Sequence, residues 1–348
     1  MFYIGDKMID KINFIGFLNG NTGYTILSRA LIGLMDRAGL DVRIQDLNNQ
    51  GVAQYPNLQM KDPAGRFQLL HQIPTVKPDA DGFYTVTEFD EPTYGSISPL
   101  RRAKLVLTES NFCKGVFEEF TKAPIHTIHY PVDPQFKPTG ATLKFNPEIE
   151  KFGFKFLSVF EWIMRKDPYL LIQAFCEEFK PTEDVCLILR TWSKFRNPEK
   201  YIGEMAKGHN VFLMPHEVPH MAPLYRACDA FVTATWGEGF GHPIIEAMAC
   251  GLITIAPDST GIKDYANNNN AMLVPVDEVP VGDVYNEIPH LIKPWFTCWK
   301  PDKEGLKKAM RKAFQNRSTF LTQNAVKIGK KFSLDHSLQQ IKEAFELE

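Results

Sequence analysis

The sequence predicts an α/β protein built from two doubly wound domains that face each other across a cleft. Three observations carry this. A strand–glycine turn–helix–strand pattern opens the chain, a second alternating block starts at Phe154, and a stretch broken by proline and glycine separates them. At 348 residues the chain is also long for one compact core, so two domains are expected.

Residues 11–18, KINFIGFL, read as a first strand, and NGNTG at 19–23 as the turn after it. In YTILSRALIGLMDRAG the residues Leu27, Leu31, Leu34, Met35 and Ala38 recur at helical spacing, and Gly39 ends the pattern. LDVRIQDL then reads as a second strand, completing a βαβ unit, the seed of a parallel sheet with a site above its strand ends. GFYTVTEF, AKLVLTES and IHTIHYPV read as further short strands. From Pro134 to about Gly153 the periodicity is lost, which predicts a linker.

The second block begins with the strand FKFLSVF. The helix DPYLLIQAFCEEF follows, with Asp167 suited to N-cap and Pro168 to the first helical position. VCLILRTW, VFLMP, DAFVTAT and LITIAPDS read as four more strands separated by helices. At the end, Leu334, Leu338, Ile341 and Phe345 share one face, which predicts a packed terminal helix. The expected division is 1–145, 146–332 and a C-terminal helix at 333–348.

Composition bounds the function. With 44% hydrophobic and 23% charged residues the chain reads as globular, and no apolar run approaches the roughly 20 residues that span a bilayer. The opening residues are charged too often for a secretory signal, so a cytoplasmic protein is expected. Six scattered cysteines without a C-x-x-C pair read as reduced, buried thiols. A formal net charge of −2 disfavours a nucleic-acid partner, although a basic cleft can hide in a neutral total.

The chemistry concentrates in GEGFGHPIIEAMACG, residues 237–251. It lies between the strands DAFVTAT and LITIAPDS, so its first part is a strand-end loop, where parallel sheets bind ligands. Gly237, Gly239 and Gly241 let backbone approach a ligand, Pro243 suits the first position of the next helix, and Glu246 falls in its first turn. Two carboxylates, Glu238 and Glu246, at one mouth suit a polyhydroxylated ligand. The competing reading is that Glu246 only complements the helix dipole and that Glu238 is solvated.

Weaker signals stand beside it. DAD at 79–81 has the look of a metal-binding pair but follows Pro78 in a turn-like segment. Glu88, at a strand end of the first domain, is the better acceptor-side candidate; His71, His126 and His129 are possible sugar or acceptor contacts, each of which reads more readily as structural. GFLNGNTG misses the G-x-G-x-x-G dinucleotide spacing, and no G-x-x-x-x-G-K-[ST] occurs. The aromatic stretch 284–302 reads as core against the cleft, with a lid or a peripheral membrane contact as alternatives.

SVFEWIMRKDPYLLIQAF, LYRACDAFVTATWGEGFGHPIIEAMACG and TGIKDYANNNNAMLVPVD resemble the retaining nucleotide-sugar glycosyltransferases of the GT-B fold, family 4, and match their Glu-x7-Glu signature. The first half is similar more loosely, through the loop and helix that contain Gly23. The resemblance implies two Rossmann-like domains, a C-terminal helix crossing back to the first, and hexosyl transfer from a nucleotide-diphospho-sugar to a glycan, lipid-linked or other hydroxyl. It implies no metal and no further cofactor. By the same resemblance Glu246 holds the ribose and Glu238 the transferred sugar. Backbone groups around Phe240, Gly241 and His242 hold sugar hydroxyls and the distal phosphate, and Gly23 lets the first domain approach the diphosphate. Lys166, just before a helix start, suits the leaving phosphate. The family's Gly-Arg is replaced here by Val159-Phe160-Glu161, so either Arg165 or Arg190 takes the arginine's part or Lys166 acts alone. Three alternatives stay open: a nucleotide-sugar epimerase, a non-catalytic sugar-nucleotide-binding module, and a nucleic-acid-modifying glycosyltransferase.

Overall fold

The structure, a computed structural model, describes residues 3–4, 7–18, 23–47, 67–71, 79–193, 196–214, 218, 220–282, 292–316 and 319–347. It divides into two compact units. Unit 1 is Met1–Pro131 with His290–Lys293 and Phe332–Glu348; unit 2 is Val132–Pro289 with Pro294–Lys331.

Unit 1 starts with a short antiparallel pair, β1 (Tyr3–Ile4) and β2 (Lys7–Met8). Its main sheet contains β3 (Lys11–Gly16), β4 (Asp41–Asp46), β5 (Phe67–His71), β6 (Gly82–Tyr84), β7 (Leu105–Thr108) and β8 (Ile125–Thr127). All neighbours are parallel, in the order β4-β3-β5-β6-β7-β8. Helix α1 (Gly23–Arg37) buries Leu27, Leu31, Leu34 and Met35, the stripe that the 3.6-residue spacing predicts. Two shorter helices follow, α2 (Ile97–Arg102) and α3 (Asn111–Glu118), the latter N-capped by the Ser110 side chain on Cys113 N. The last helix, α11 (Leu334–Ala344), packs on α1 and β8 within this unit, with Ile341, Ala344 and Phe345 buried and Leu334 and Leu338 half-buried.

Strand β5 was not among the strands read from the sequence. All five of its residues are buried, Gln68 included, so it shows no alternation to mark it. The turn at residues 19–22 lies outside the described residues; Gly23 opens α1.

Unit 2 begins with a segment that Arg226 ties down. Its guanidinium donates to the carbonyls of Ala141 at 2.8 Å, Gln135 at 3.0 Å and Lys137 at 3.2 Å. After α4 (Pro147–Glu150) come β9 (Phe154–Glu161), α5 (Pro168–Glu178), β10 (Val185–Trp192), α6 (Pro198–Met205), β11 (Val211–Met214), α7 (Met221–Arg226) and β12 (Ala230–Val232). Then follow α8 (His242–Ala249), β13 (Ile253–Pro257), β14 (Met272–Val274), β15 (Val276–Pro280), β16 (Thr297–Pro301), α9 (Lys303–Gln315) and α10 (Thr319–Lys331). Six strands form a parallel sheet in the order β11-β10-β9-β12-β13-β14. Both faces of its middle are covered, and Phe154, Phe156, Leu187, Leu189, Val232 and Ile255 join one core with residues of α5 and α9.

The 284–302 stretch turns out to supply a strand: β16 pairs antiparallel with β15, burying Phe296 and Cys298 while Trp295 stays exposed. Residues 283–291 lie outside the described residues. All six cysteines are free thiols, and burial pushes Cys113, Cys186 and Cys250 up to about 12. No helix among the described residues is long and apolar enough to cross a membrane.

Candidate active site

The strand order of unit 2 reverses between β9 and β12, which are neighbours through Ala230–Phe156 and Phe231–Leu157. Loops leaving the carboxyl ends of two such strands diverge and open a crevice, the usual ligand position in an open α/β sheet. Here one loop is Trp162–Asp167 and the other Thr233–Gly241. Arg165 and Lys166 sit on the first and Glu238 on the second.

The first loop makes a 3₁₀ turn, Met164–Lys166, and ends on Asp167 in the left-handed region, φ 40 and ψ 61. Asp167 Oδ1 accepts from Leu170 N at 2.9 Å, so the residue N-caps α5 with Pro168 next, as its sequence predicts. Burial raises the Asp167 carboxyl, and the bonds from Leu170 N and the Trp236 indole pull it back.

Arg165 and Lys166 both reach Glu238. The Arg165 Nη1 donates to Gly237 O and lies 3.2 Å from Glu238 Oε2, and Lys166 Nζ is bonded to Glu238 Oε1. Glu238 is only 8% exposed and Arg165 7%, so water screens this cluster little. Burial alone would push the Glu238 carboxyl up. Lys166 and Arg165, with hydrogen bonds from Lys166 and Thr235, more than offset that and hold it down at about 2. Its backbone is pinned as well: Glu238 N donates to Thr260 Oγ1 at 3.0 Å, and Glu238 O accepts from Gly261 N at 3.1 Å. The reading of Glu238 as a solvated loop carboxylate is thereby corrected.

Gly241 turns the loop into α8 with φ 91. A Cβ there would stand 2.9 Å from both Ile244 Cδ1 and the Tyr265 hydroxyl and 3.4 Å from Glu238 Cγ. The site therefore needs glycine for conformation and for space. Tyr265 OH donates to Phe240 O at 2.8 Å, and its ring lies 5.0 Å from that of Phe240. Helix α8 starts at His242, so Pro243 is its second residue, one position later than expected. The positive end of the α8 dipole thus lies beside the stem of Glu238. The helix closes with Gly251 N on Met248 O and Leu252 N on Ala247 O.

Glu246 is the fifth residue of α8, so the expectation that it lies in the first turn is corrected: it lies in the second. It is half-buried, and its Oε2 accepts from Tyr225 OH at 3.0 Å. Arg190 does not join the Glu238 cluster. It stands on β10, and its guanidinium carbon lies 5.4 Å from the Trp192 ring. Of the two arginines weighed from the sequence, Arg165 is the one the fold brings to Glu238.

The unit 1 candidates have other surroundings. His71, at the end of β5, is 1% exposed, with Nδ1 2.7 Å from Ser28 Oγ and its ring edge-on to Tyr84. Glu88 is half-buried in the loop after β6. Asp81 of the DAD pair accepts from Gln68 N and pairs with Lys104 at 2.6 Å, a structural use. His129 stacks on His336 and accepts from Ser337 Oγ through its carbonyl, fastening α11. His126 is shifted down, first by burial and then by Lys114. Among the described residues no group of three metal-ligating side chains comes together.

Sequence reasoning did not find Trp236, Tyr225, Thr260 or Tyr265 as parts of this site. Tyr225 and Tyr265 act from 21 and 25 residues away from their partners, and no local signal marks such pairs.

Residues 153–293 match the family model for Glycosyl transferases group 1. No curated protein matches the sequence. Solved structures match the fold along the chain. Sucrose-phosphate synthase from Thermosynechococcus elongatus superposes with a TM-score of 0.73 at 15% identity, covering 97% of this chain and 98% of its own. The Anabaena protein HepE, solved with UDP and glucose, gives 0.65 at 16% identity over 97% and 99%. WaaG, a glycosyltransferase involved in lipopolysaccharide biosynthesis, gives 0.65 at 14% over 97% and 99%. The stretch that matches this family model holds the Arg165–Lys166–Glu238 cluster and Glu246, and the chain has the fold of the GT-B glycosyltransferases.

Proposed function

We propose that the protein is a retaining glycosyltransferase that moves a sugar from a nucleoside-diphosphate donor to an acceptor hydroxyl without a metal. The convergence of Arg165 and Lys166 on Glu238 beside the start of α8 is the observation that carries this reading. The reaction breaks the bond between the sugar's anomeric carbon and a phosphate oxygen, so negative charge grows on the diphosphate. Two cations and a helix N-terminus, held rigidly in a poorly hydrated site, stabilise such charge best. Glu238 faces the sugar and Glu246 the ribose, where a carboxylate accepts two hydroxyl protons. The acceptor oxygen bonds to the anomeric carbon on the face that the diphosphate leaves, and its proton passes to the departing phosphate oxygen. The anomeric configuration is then kept, and no pair of carboxylates flanking the bond is required.

HepE is solved with UDP and with UDP-glucose, so UDP-sugars are the first donors to try. The test is a thermal-shift panel of UDP-, GDP-, ADP-, CMP- and dTDP-sugars on the protein and on Glu246→Ala and Lys166→Ala. A donor that stabilises the protein and loses its effect in both variants is the expected result. Binding of none, or binding in both variants unchanged from the wild type, overturns the assignment. With a donor in hand, NMR of the product's anomeric proton, with and without EDTA, decides retention and metal independence.

A further inference from the structure

The two loops that carry the charged cluster are joined by a residue to which the chemistry above gives no part. Trp236 stands directly before Gly237 and Glu238 and is 8% exposed. Its backbone N–H donates to Arg165 O at 2.8 Å, and its indole Nε1 donates to Asp167 Oδ2 at 2.9 Å. Lys166 lies between those two acceptors. We infer that Trp236, through its indole bond to Asp167, is a positioning residue that sets Lys166 and Arg165 against the distal phosphate of the donor.

Three observations support this. Asp167 adopts φ 40 and ψ 61, a conformation that is strained for a non-glycine residue and persists only where its surroundings hold it. One carboxylate oxygen is committed to capping α5, and the other takes the indole. Finally, Trp236 is braced from its far side. Trp299 N on β16 donates to Trp236 O at 2.8 Å, and Lys300 Nζ sits 5.6 Å from the Trp236 ring. The β15–β16 hairpin therefore backs the loop that the indole ties down.

The inference rests on the proposal that this cluster takes the diphosphate, and the experiment separates the two. Calorimetry measures binding of UDP, GDP and ADP and of the matching monophosphates to the whole protein; the nucleotide bound by the wild type is carried forward. Trp236→Phe keeps the ring and the backbone bond but removes the indole donor. Its diphosphate affinity is expected to fall about tenfold, and its monophosphate affinity to stay within about twofold. Asp167→Asn removes the charged acceptor and is expected to do the same; it carries the test if Trp236→Phe does not fold. The double variant is expected to lose no more than the worse single one, because one bond is broken in all three. Unchanged diphosphate affinity, an equal loss of both nucleotides, or additive losses overturn the positioning role. A wild type that binds no nucleoside diphosphate sinks the proposed function instead.

Discussion

Glu238→Gln is the most direct probe of the charged cluster. It removes the negative charge shared by Arg165 and Lys166, whose side chains are only 9% and 16% exposed, and leaves two cations in a site that water reaches poorly. The fold holds this carboxyl at about 2 against an ordinary 4.5. At about 1.4 kcal/mol for each tenfold, that difference is roughly 3 kcal/mol in favour of the ionised, folded state. Breaking one side of a buried ion pair costs about 3–5 kcal/mol, so the two scales agree. The native carboxyl is depressed, so its contribution is complete above about pH 4.5 and is lost as pH falls towards about 2. Urea unfolding followed at pH 7 and at pH 3 should show the variant roughly 3 kcal/mol less stable at pH 7 and the gap narrowing at pH 3. In a thermal scan that corresponds to roughly 6–12 °C for a domain of this size. Equal stability at pH 7, or a gap that stays constant down the pH series, would refute the electrostatic account. A second readout follows from the site proposal: a nucleoside diphosphate should raise the melting temperature of the variant more than that of the wild type, because its phosphate replaces the missing carboxylate.

Lys166→Ala should lower the transfer rate by about 10²–10³ once an acceptor is found, as expected when a pre-aimed electrostatic donor is lost; a loss under tenfold would place the phosphate elsewhere. Tyr225→Phe removes the 3.0 Å bond that orients Glu246 and should weaken ribonucleotide binding about fivefold, for roughly 1 kcal/mol of hydrogen bonding. Titration with the 2′-deoxy nucleotide checks this, since its affinity should change less. Gly241→Ala meets a φ of 91 and a contact of 2.9 Å, and should cost at least about 1–2 kcal/mol in urea unfolding. An alanine variant as stable as the wild type would mean that the loop relaxes freely.

Much of the architecture was legible because its signals are local. The stripe of α1 and the Asp167–Pro168 start of α5 follow from side-chain spacing and from what the start of a helix needs. Strand β5 escaped because a strand buried on both faces has no period, and the β15–β16 hairpin because VDEVP and TCWKP hide a ladder among prolines and charges. Glu246 was placed in the first turn rather than the second because α8 starts one residue earlier than expected, at His242 directly after the Gly241 turn.

The amino-acid sequence alone determined the parallel α/β class and put Glu238 and Glu246 on one strand-end loop and the helix after it. Both follow from hydrophobic period and capping within a few residues. Which cations meet Glu238 was decided only by tertiary structure. Arg165 and Lys166 lie more than 70 residues from it in the chain, and they reach it because strand order sets β9 beside β12. Arg190, equally available to a reader of the sequence, rides on β10 one strand further over, where the same order keeps it out of the cluster.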